Sequence, residues 1–140
     1  MSDTENQMSA TGDHVRVFLC DDVAEIRVLM RFTLEEDERI RVVGEAADGE
    51  AGVAGVLETK ADVILLDLSM PGMDGLEAIE RIRDIAPDMG IVVLSGFSVG
   101  RLGEAALEVG AHRYLEKGEP AEVIRSTILD VARERRPTSA

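Results

Sequence analysis

A regular alternation of two patterns constrains the fold of this chain more than any other feature. Short apolar runs typical of β-strands alternate five times with segments whose apolar residues recur at helical spacing. The predicted strands cover residues 15–20, 41–46, 63–67, 91–95 and 113–116, and the predicted helices cover 24–36, 50–59, 76–85, 99–109 and 120–134. Uninterrupted strand–helix units predict an α/β fold with a parallel sheet covered by helices on both faces.

The length of 140 residues suits one domain. We predict a domain over residues 15–134, a disordered polar tail at 1–14 and a short tail at 135–140, with no output domain after it. The polar, acidic beginning of the chain does not resemble a signal peptide. No apolar stretch approaches the ~20 residues that a membrane span needs, so we expect a cytoplasmic protein.

The charge balance limits the classes of partner. The formal net charge of -13 argues against nucleic-acid binding, because phosphate contacts require a basic surface. It suits a cation site or a partner with a basic face. The single cysteine, Cys20, cannot form an internal disulfide. Its place in a predicted strand favours a small buried hydrophobe, with a reactive thiol as the alternative.

Asp67 directly follows four large apolar residues, a pattern that indicates a strand buried on both faces. A charged group at the end of such a strand is costly unless it has a partner or a task. Asp21 and Asp22 follow the first predicted strand, Ser95 ends the fourth, and Lys117 follows the fifth. Because the carboxyl ends of parallel strands share one edge of the sheet, we expect these five side chains to meet there.

The expected cluster has a definite chemistry. Two unit charges about 4 Å apart repel by roughly 4 kcal/mol at an effective dielectric near 20, so three carboxylates favour a divalent cation between them. An all-oxygen site with few protein ligands suits Mg²⁺. Taken singly, the residues have ordinary explanations: an acidic pair caps the next helix, Ser95 forms a turn with Gly96, and Lys117 is solvated. Their joint occurrence favours a functional site.

The chain resembles the response-regulator receiver domains of bacterial two-component signalling, in particular the stand-alone, CheY-like members. The resemblance covers about residues 15–133 and is carried by FLCDD at 18–22, VILLDLSMPGMDG at 63–75, VVLSG at 92–96 and GAHRYLEK at 110–117. It implies a flavodoxin-like, doubly wound sheet of five parallel strands in the order 2-1-3-4-5.

The resemblance also implies a reaction at Asp67. In this family the equivalent aspartate accepts a phosphoryl group from a phosphohistidine on a sensor histidine kinase or a phosphotransfer protein. Mg²⁺ would be held directly by Asp22, Asp67 and the backbone carbonyl of Ser69, and by Asp21 mainly through water. Lys117 would pair with a phosphoryl oxygen. The expected protein is a signalling phosphoacceptor, which catalyses its own Mg²⁺-dependent transfer and hydrolysis, rather than an enzyme acting on other substrates.

A switch is implied by the same resemblance. The hydroxyl of Ser95 would bind another phosphoryl oxygen, and Tyr114 would move into the space vacated by its loop. The face formed by the fourth helix, fifth strand and fifth helix would then change, and a downstream protein or a second copy of the chain would recognise it. Without the resemblance, Tyr114 is a half-buried aromatic on a strand. Gly100 and Gly103 weaken the fourth helix, which suits an element that shifts.

One position departs from the family pattern. The family usually carries proline with a cis bond after the lysine, whereas here Gly118 follows Lys117. A cis bond before a non-proline residue costs about 3 kcal/mol. We therefore expect a trans bond and a loop whose geometry differs from that of the family.

Other functions remain as alternatives to a phosphorylated response regulator. A receiver fold that acts only through contacts and a phosphorelay intermediate both fit the motifs. A phosphatase working through an aspartyl phosphate would need a second aspartate where Ser69 stands. A flavodoxin-like carrier would need aromatic residues for flavin stacking, and the aromatic content is 3%.

Overall fold

The computed structural model describes residues 14–68, 74–96 and 100–135. The elements in chain order are β1 (Val15–Cys20), α1 (Ala24–Glu35), β2 (Ile40–Ala46), α2 (Gly49–Thr59), β3 (Val63–Leu66), α3 (Gly75–Ile85), β4 (Gly90–Ser95), α4 (Gly100–Val109), β5 (Arg113–Glu116) and α5 (Ala121–Arg135). Each predicted boundary agrees with these bounds to within one residue. The predicted tails lie outside the described residues apart from residues 14 and 135.

The strands of the described residues form one sheet in the order β2-β1-β3-β4-β5. All four neighbouring pairs are parallel, so the predicted topology is confirmed. At the carboxyl edge, Cys20 pairs with Leu66 and Leu66 pairs with Val93. The residues that follow β1 and β3, and those that end β4, therefore leave the sheet at the same level.

Alternate residues of the central strands build two hydrophobic layers. Val63 and Leu65 of β3 belong to the layer that includes Leu34 of α1 and Ile128 of α5. Ile64 and Leu66 belong to the other layer, which contains residues of α2, α3 and α4. This explains why β3 is apolar at every position, since each side chain has a helix layer to face. Burying one such side chain contributes about 1.5–3 kcal/mol.

Aspartate side chains begin two of the helices that cover the second layer. The Asp48 carboxylate accepts a hydrogen bond from the backbone N–H of Ala51 at the start of α2. The Asp74 carboxylate accepts one from Leu76 at the start of α3. Such caps satisfy N–H groups that the first helical turn leaves unpaired. No helix among the described residues has the length and apolarity that crossing a membrane requires.

Candidate functional site

The side chains predicted to converge do lie at the carboxyl edge of the sheet. Asp67 and Ser95 are almost inaccessible to solvent, with exposures of 2% and 0%, and Asp21 is also buried. The backbone ties their positions together: the N–H of Asp67 donates to Cys20 at 2.9 Å, and the N–H of Lys117 donates to Ser95 at 2.7 Å. The cluster is therefore positioned by the hydrogen-bonding pattern of the sheet itself.

Three carboxylates form the acidic part of the cluster. Asp21, Asp22 and Asp67 each present a ligand atom, and these atoms lie within 4.8 Å of one another. Asp21 and Asp67 are buried, whereas Asp22 is exposed at the mouth of the site. Converging carboxylate oxygens at this spacing form a donor set that hard divalent cations favour. Ser69, whose backbone carbonyl is the remaining predicted ligand, lies outside the described residues.

Lys117 provides the positive charge of the cluster. Its Nζ lies 3.0 Å from Oδ2 of Asp21 and 3.4 Å from Oδ2 of Asp67. Burial alone lowers the pKa of Lys117, but the hydrogen bond to Asp21 and the charges of Asp67 and Asp21 outweigh it, so the pKa lies above its usual value. Lys117 is therefore a cation held against two buried carboxylates at neutral pH.

Ser95 and Tyr114 lie at different distances from the carboxyl edge of the sheet. Ser95 pairs in register with Glu116 at the carboxyl edge, while Tyr114 pairs with Val93, two residues further from that edge. Tyr114 is half-buried and packs against the hydrophobic layer that includes α4 residues. Ser95 thus ends β4 at the carboxyl edge, and Tyr114 lies within β5 beside the hydrophobic layer that includes α4 residues.

The loop after Lys117 adopts a glycine-dependent conformation. No cis peptide bond occurs among the described residues, so the expected trans bond before Gly118 is confirmed. Gly118 has a φ of 107°, in the region that favours glycine. The N–H of Glu119 donates to the carbonyl of Glu116 at 3.2 Å, which closes a turn around Lys117 and Gly118.

Sequence reasoning missed Arg27 as a member of the site. Its Nη1 donates a hydrogen bond to the backbone carbonyl of Asp21 at 2.6 Å. The available signal was an arginine in the first turns of the helix that follows the acidic pair. Nothing in the hydrophobic pattern distinguishes this arginine from a solvated one on the helix surface.

Comparison with known proteins decides the family. The family model described as the response regulator receiver domain matches residues 17–129. The chain belongs to the response-regulator receiver family. The matched segment contains every described residue of the cluster, so Asp21, Asp22, Asp67, Ser95 and Lys117 all belong to the receiver domain proper.

Relatives of this receiver domain occur within longer proteins. It is 38% identical over 113 residues to the uncharacterized transcriptional regulatory protein YhcZ of Bacillus subtilis, a match covering 80% of this chain and 53% of YhcZ. It is 40% identical over 111 residues to a protein-glutamate methylesterase/protein-glutamine glutaminase of Azospirillum brasilense, covering 78% of this chain and 28% of the relative. The chain therefore spans about half or less of the length of these two relatives.

A solved structure supports the same assignment. The signal receiver domain of NarL from Mycobacterium tuberculosis superposes with a TM-score of 0.82 at 31% identity. The match covers 86% of this chain and 98% of that domain. The fold and the family of this receiver domain thus agree.

Proposed function

We propose that this receiver domain accepts a phosphoryl group on Asp67 and signals as a response regulator through the resulting change of shape. One observation carries the proposal: Asp67 is 2% exposed, yet two other carboxylates and the ammonium group of Lys117 lie beside it. Burying like charges together is costly without a compensating role. Anchoring a cation and a phosphoryl group at this edge of the sheet is such a role.

The transfer step uses Asp67 as the nucleophile. One carboxylate oxygen attacks the phosphorus of a phosphohistidine, and a new O–P bond forms. The bond between phosphorus and the imidazole nitrogen breaks, and the nitrogen keeps the electron pair. The attacking group is already an anion, so the reaction needs positioning and charge neutralisation rather than a general base. Lys117 neutralises part of the charge, since its Nζ lies 3.4 Å from Oδ2 of Asp67.

The acidic cluster fits Mg²⁺. Asp21, Asp22 and Asp67 would hold the ion through oxygen atoms that already lie within 4.8 Å of one another, and the carbonyl of Ser69 is proposed to join them. Bound there, Mg²⁺ supplies charge neutralisation for the transferred phosphoryl group. Asp21 would then face both the ion and Lys117, whose Nζ is 3.0 Å from Oδ2 of Asp21.

The response to phosphorylation is proposed to run through Ser95 and Tyr114. The hydroxyl of Ser95 would bind a phosphoryl oxygen, and Tyr114 would move with the rearranged loop. The affected surface comprises α4, β5 and α5, where a downstream protein would bind. Buried Gly103 suits an adjustable α4, because glycine lowers the stability of a helix.

The phosphoryl donor is proposed to lie along α1. Val28, Leu29 and Phe32 are exposed by 56%, 55% and 72%, and their spacing places them on one face of the helix. Adjacent exposed hydrophobic residues mark contact surfaces more often than isolated ones do. Because α1 begins two residues after Asp22, a donor bound to this face can present its phosphohistidine at the edge that holds Asp67.

A small phosphodonor tests the proposed phosphorylation. The protein is incubated with acetyl phosphate and Mg²⁺, and we expect an acid-stable, base-labile adduct with the mass of one phosphoryl group. Asp67→Ala should lack the adduct, whereas Asp84→Ala, at an exposed position of α3, should retain it. No adduct in the wild type, or an adduct that persists in Asp67→Ala, would overturn the proposal. A contact-only receiver would give the first of these results.

A further inference from the structure

Arg27 joins the acidic cluster to the end of a neighbouring strand. Its Nη1 donates to the backbone carbonyl of Asp21 at 2.6 Å, and its Nε donates to Oε1 of Glu45 on β2 at 2.6 Å. Arg31 holds the other carboxylate oxygen of Glu45 at 2.9 Å. Hydrogen bonds from Arg31 and Arg27 keep the pKa of Glu45 below its usual value, so the anchor is a carboxylate at neutral pH.

The carbonyl that Arg27 binds belongs to the peptide unit between Asp21 and Asp22. Because a peptide unit is planar, fixing its oxygen restrains the rotation on both sides and so the directions in which the two acidic side chains leave the backbone. The rest of this segment is restrained as well: the N–H of Asp21 donates to Ala46 at 3.1 Å, and Oδ1 of Asp21 accepts the N–H of Val23 at 2.9 Å.

Arg27 also shares a small cavity with two carboxylates of the cluster. Its side chain is 18% exposed, and it lines a cavity of about 10 Å³ together with Asp21 and Asp67. Arg31, one turn further along α1, has a side chain that is 40% exposed, and its guanidinium group binds Glu45 and not the backbone carbonyl of Asp21. The two arginines thus share a carboxylate partner but differ in their relation to the cluster.

We infer that Arg27 is a positioning residue for the cation site, holding the peptide unit between Asp21 and Asp22 while Glu45 holds Arg27. This inference rests on the proposed Mg²⁺ site and adds a link from the end of β2 to it. Residues that orient metal ligands without contacting the metal commonly change its affinity by tenfold or more. A guanidinium group suits this role because its fixed fork of donors can serve two acceptors at once.

The test compares Arg27→Met with Arg31→Met. Each variant removes one ion pair with Glu45, but only Arg27→Met removes the donor to Asp21. Mg²⁺ dissociation constants are measured by calorimetry on the full chain. We expect an increase of about tenfold for Arg27→Met and less than about twofold for Arg31→Met. In the Mg²⁺-free protein, the amide resonances of Asp22 and Val23 should shift in the first variant and stay in place in the second.

Two results would overturn the inference: wild-type Mg²⁺ affinity in folded Arg27→Met, or equal losses in both variants. If Arg27→Met does not fold, Glu45→Gln decides, because it weakens the anchor of Arg27 and keeps both arginines. A Mg²⁺ dissociation constant of Glu45→Gln about twofold to threefold above that of Arg31→Met supports the inference. A dissociation constant equal to that of the wild type overturns it. Mg²⁺ binding needs no phosphoryl group, so loss of phosphorylation on Asp67 and loss of positioning by Arg27 are distinguishable.

Discussion

Lys117 and Asp21 form an ion pair of 3.0 Å across the carboxyl edge of the sheet. They follow β5 and β1, which are separated in the sheet by β3 and β4. The pair therefore spans the region above Asp67, which follows β3. The side chain of Lys117 thereby links the carboxylate that follows β1, Asp21, to the carboxylate that follows β3, Asp67.

Replacing Lys117 should remove a pH-dependent part of the stability. The pKa of this lysine is raised in the folded protein, so its contribution is complete below the usual value of 10.5 and is lost as the pH rises through the higher folded value. We expect Lys117→Met to lower the free energy of unfolding by about 1 kcal/mol without Mg²⁺, since solvent screens the partly exposed ammonium group. Urea unfolding from pH 7 to pH 11 measures this difference.

The difference between wild type and Lys117→Met should stay constant up to a pH of about 10.5 and shrink above it. The exposed Lys60 provides the control, because Lys60→Met removes an ammonium group at the end of α2, away from the carboxyl edge. A difference that already disappears near neutral pH would contradict the assigned ion pairs.

Adding any side chain at Gly118 should lower the stability of the fold. Its φ of 107° lies in the region that L-residues rarely adopt, although a Cβ there would meet no atom within 4 Å. We expect Gly118→Ala to destabilise the fold by about 1 kcal/mol through backbone strain alone. Gly96→Ala is the matched control, because its Cβ also meets no atom within 4 Å and its φ is not positive. Equal stabilities of the two variants in urea unfolding would contradict this account of the loop.

The contrast between Lys117 and Arg27 shows how far the sequence predicts this site. Lys117 was predictable because parallel strands end at one edge, so its place directly after a strand sufficed. The contact of Arg27 depends on the direction of one backbone carbonyl in the β1–α1 connection, which no periodicity encodes. Gly118 was predicted only in part. The departure from the family pattern predicted the trans bond before it, but its positive φ is visible only in the structure. The carbonyl of Ser69 remains a prediction.

Cys20 should be unreactive in the folded protein. Burial, followed by the charges of Asp48, Asp21 and Asp67, raises the pKa of its thiol to about 12. Cys20 is also only 1% exposed, and its Sγ donates to the backbone carbonyl of Asp48 at 3.3 Å, so a reagent cannot reach the thiol without local opening. We expect iodoacetamide at pH 8 to label Cys20 only in denaturant. Labelling of the native protein within minutes would show that the reactive-thiol alternative is correct.

Ser95→Ala should separate phosphorylation from the structural response. Ser95 is fully buried, and its backbone carbonyl accepts the N–H of Lys117 at 2.7 Å. The substitution keeps this backbone contact and removes only the hydroxyl group. We expect acetyl phosphate still to modify Asp67, while the beryllofluoride-induced amide shifts of residues 100–115 become much smaller than in the wild type. Shifts of wild-type size in Ser95→Ala would exclude the hydroxyl from the switch.

Phe32→Ser should distinguish a protein donor from a small one. Phe32, at 72%, is the most exposed residue of the apolar face that it forms with Val28 and Leu29 on α1. It is not a member of the acidic cluster, so the substitution should leave the chemistry at Asp67 intact. We expect labelling by acetyl phosphate at the wild-type rate. Transfer from a phosphohistidine protein that modifies the wild type should become about tenfold slower, because an exposed aromatic residue at a contact centre contributes on the order of 1–2 kcal/mol.

The control for this prediction is Leu57→Ser, which removes a hydrophobic side chain that is 52% exposed on α2. The helices α1 and α2 pack on opposite faces of the sheet, as their core residues Leu34 and Val56 show. A donor that lies along α1 does not contact Leu57, so this variant should accept phosphoryl groups from both donors at wild-type rates. If Leu57→Ser slowed protein-donor transfer and Phe32→Ser did not, the donor would instead approach over the face of the sheet that α2 covers.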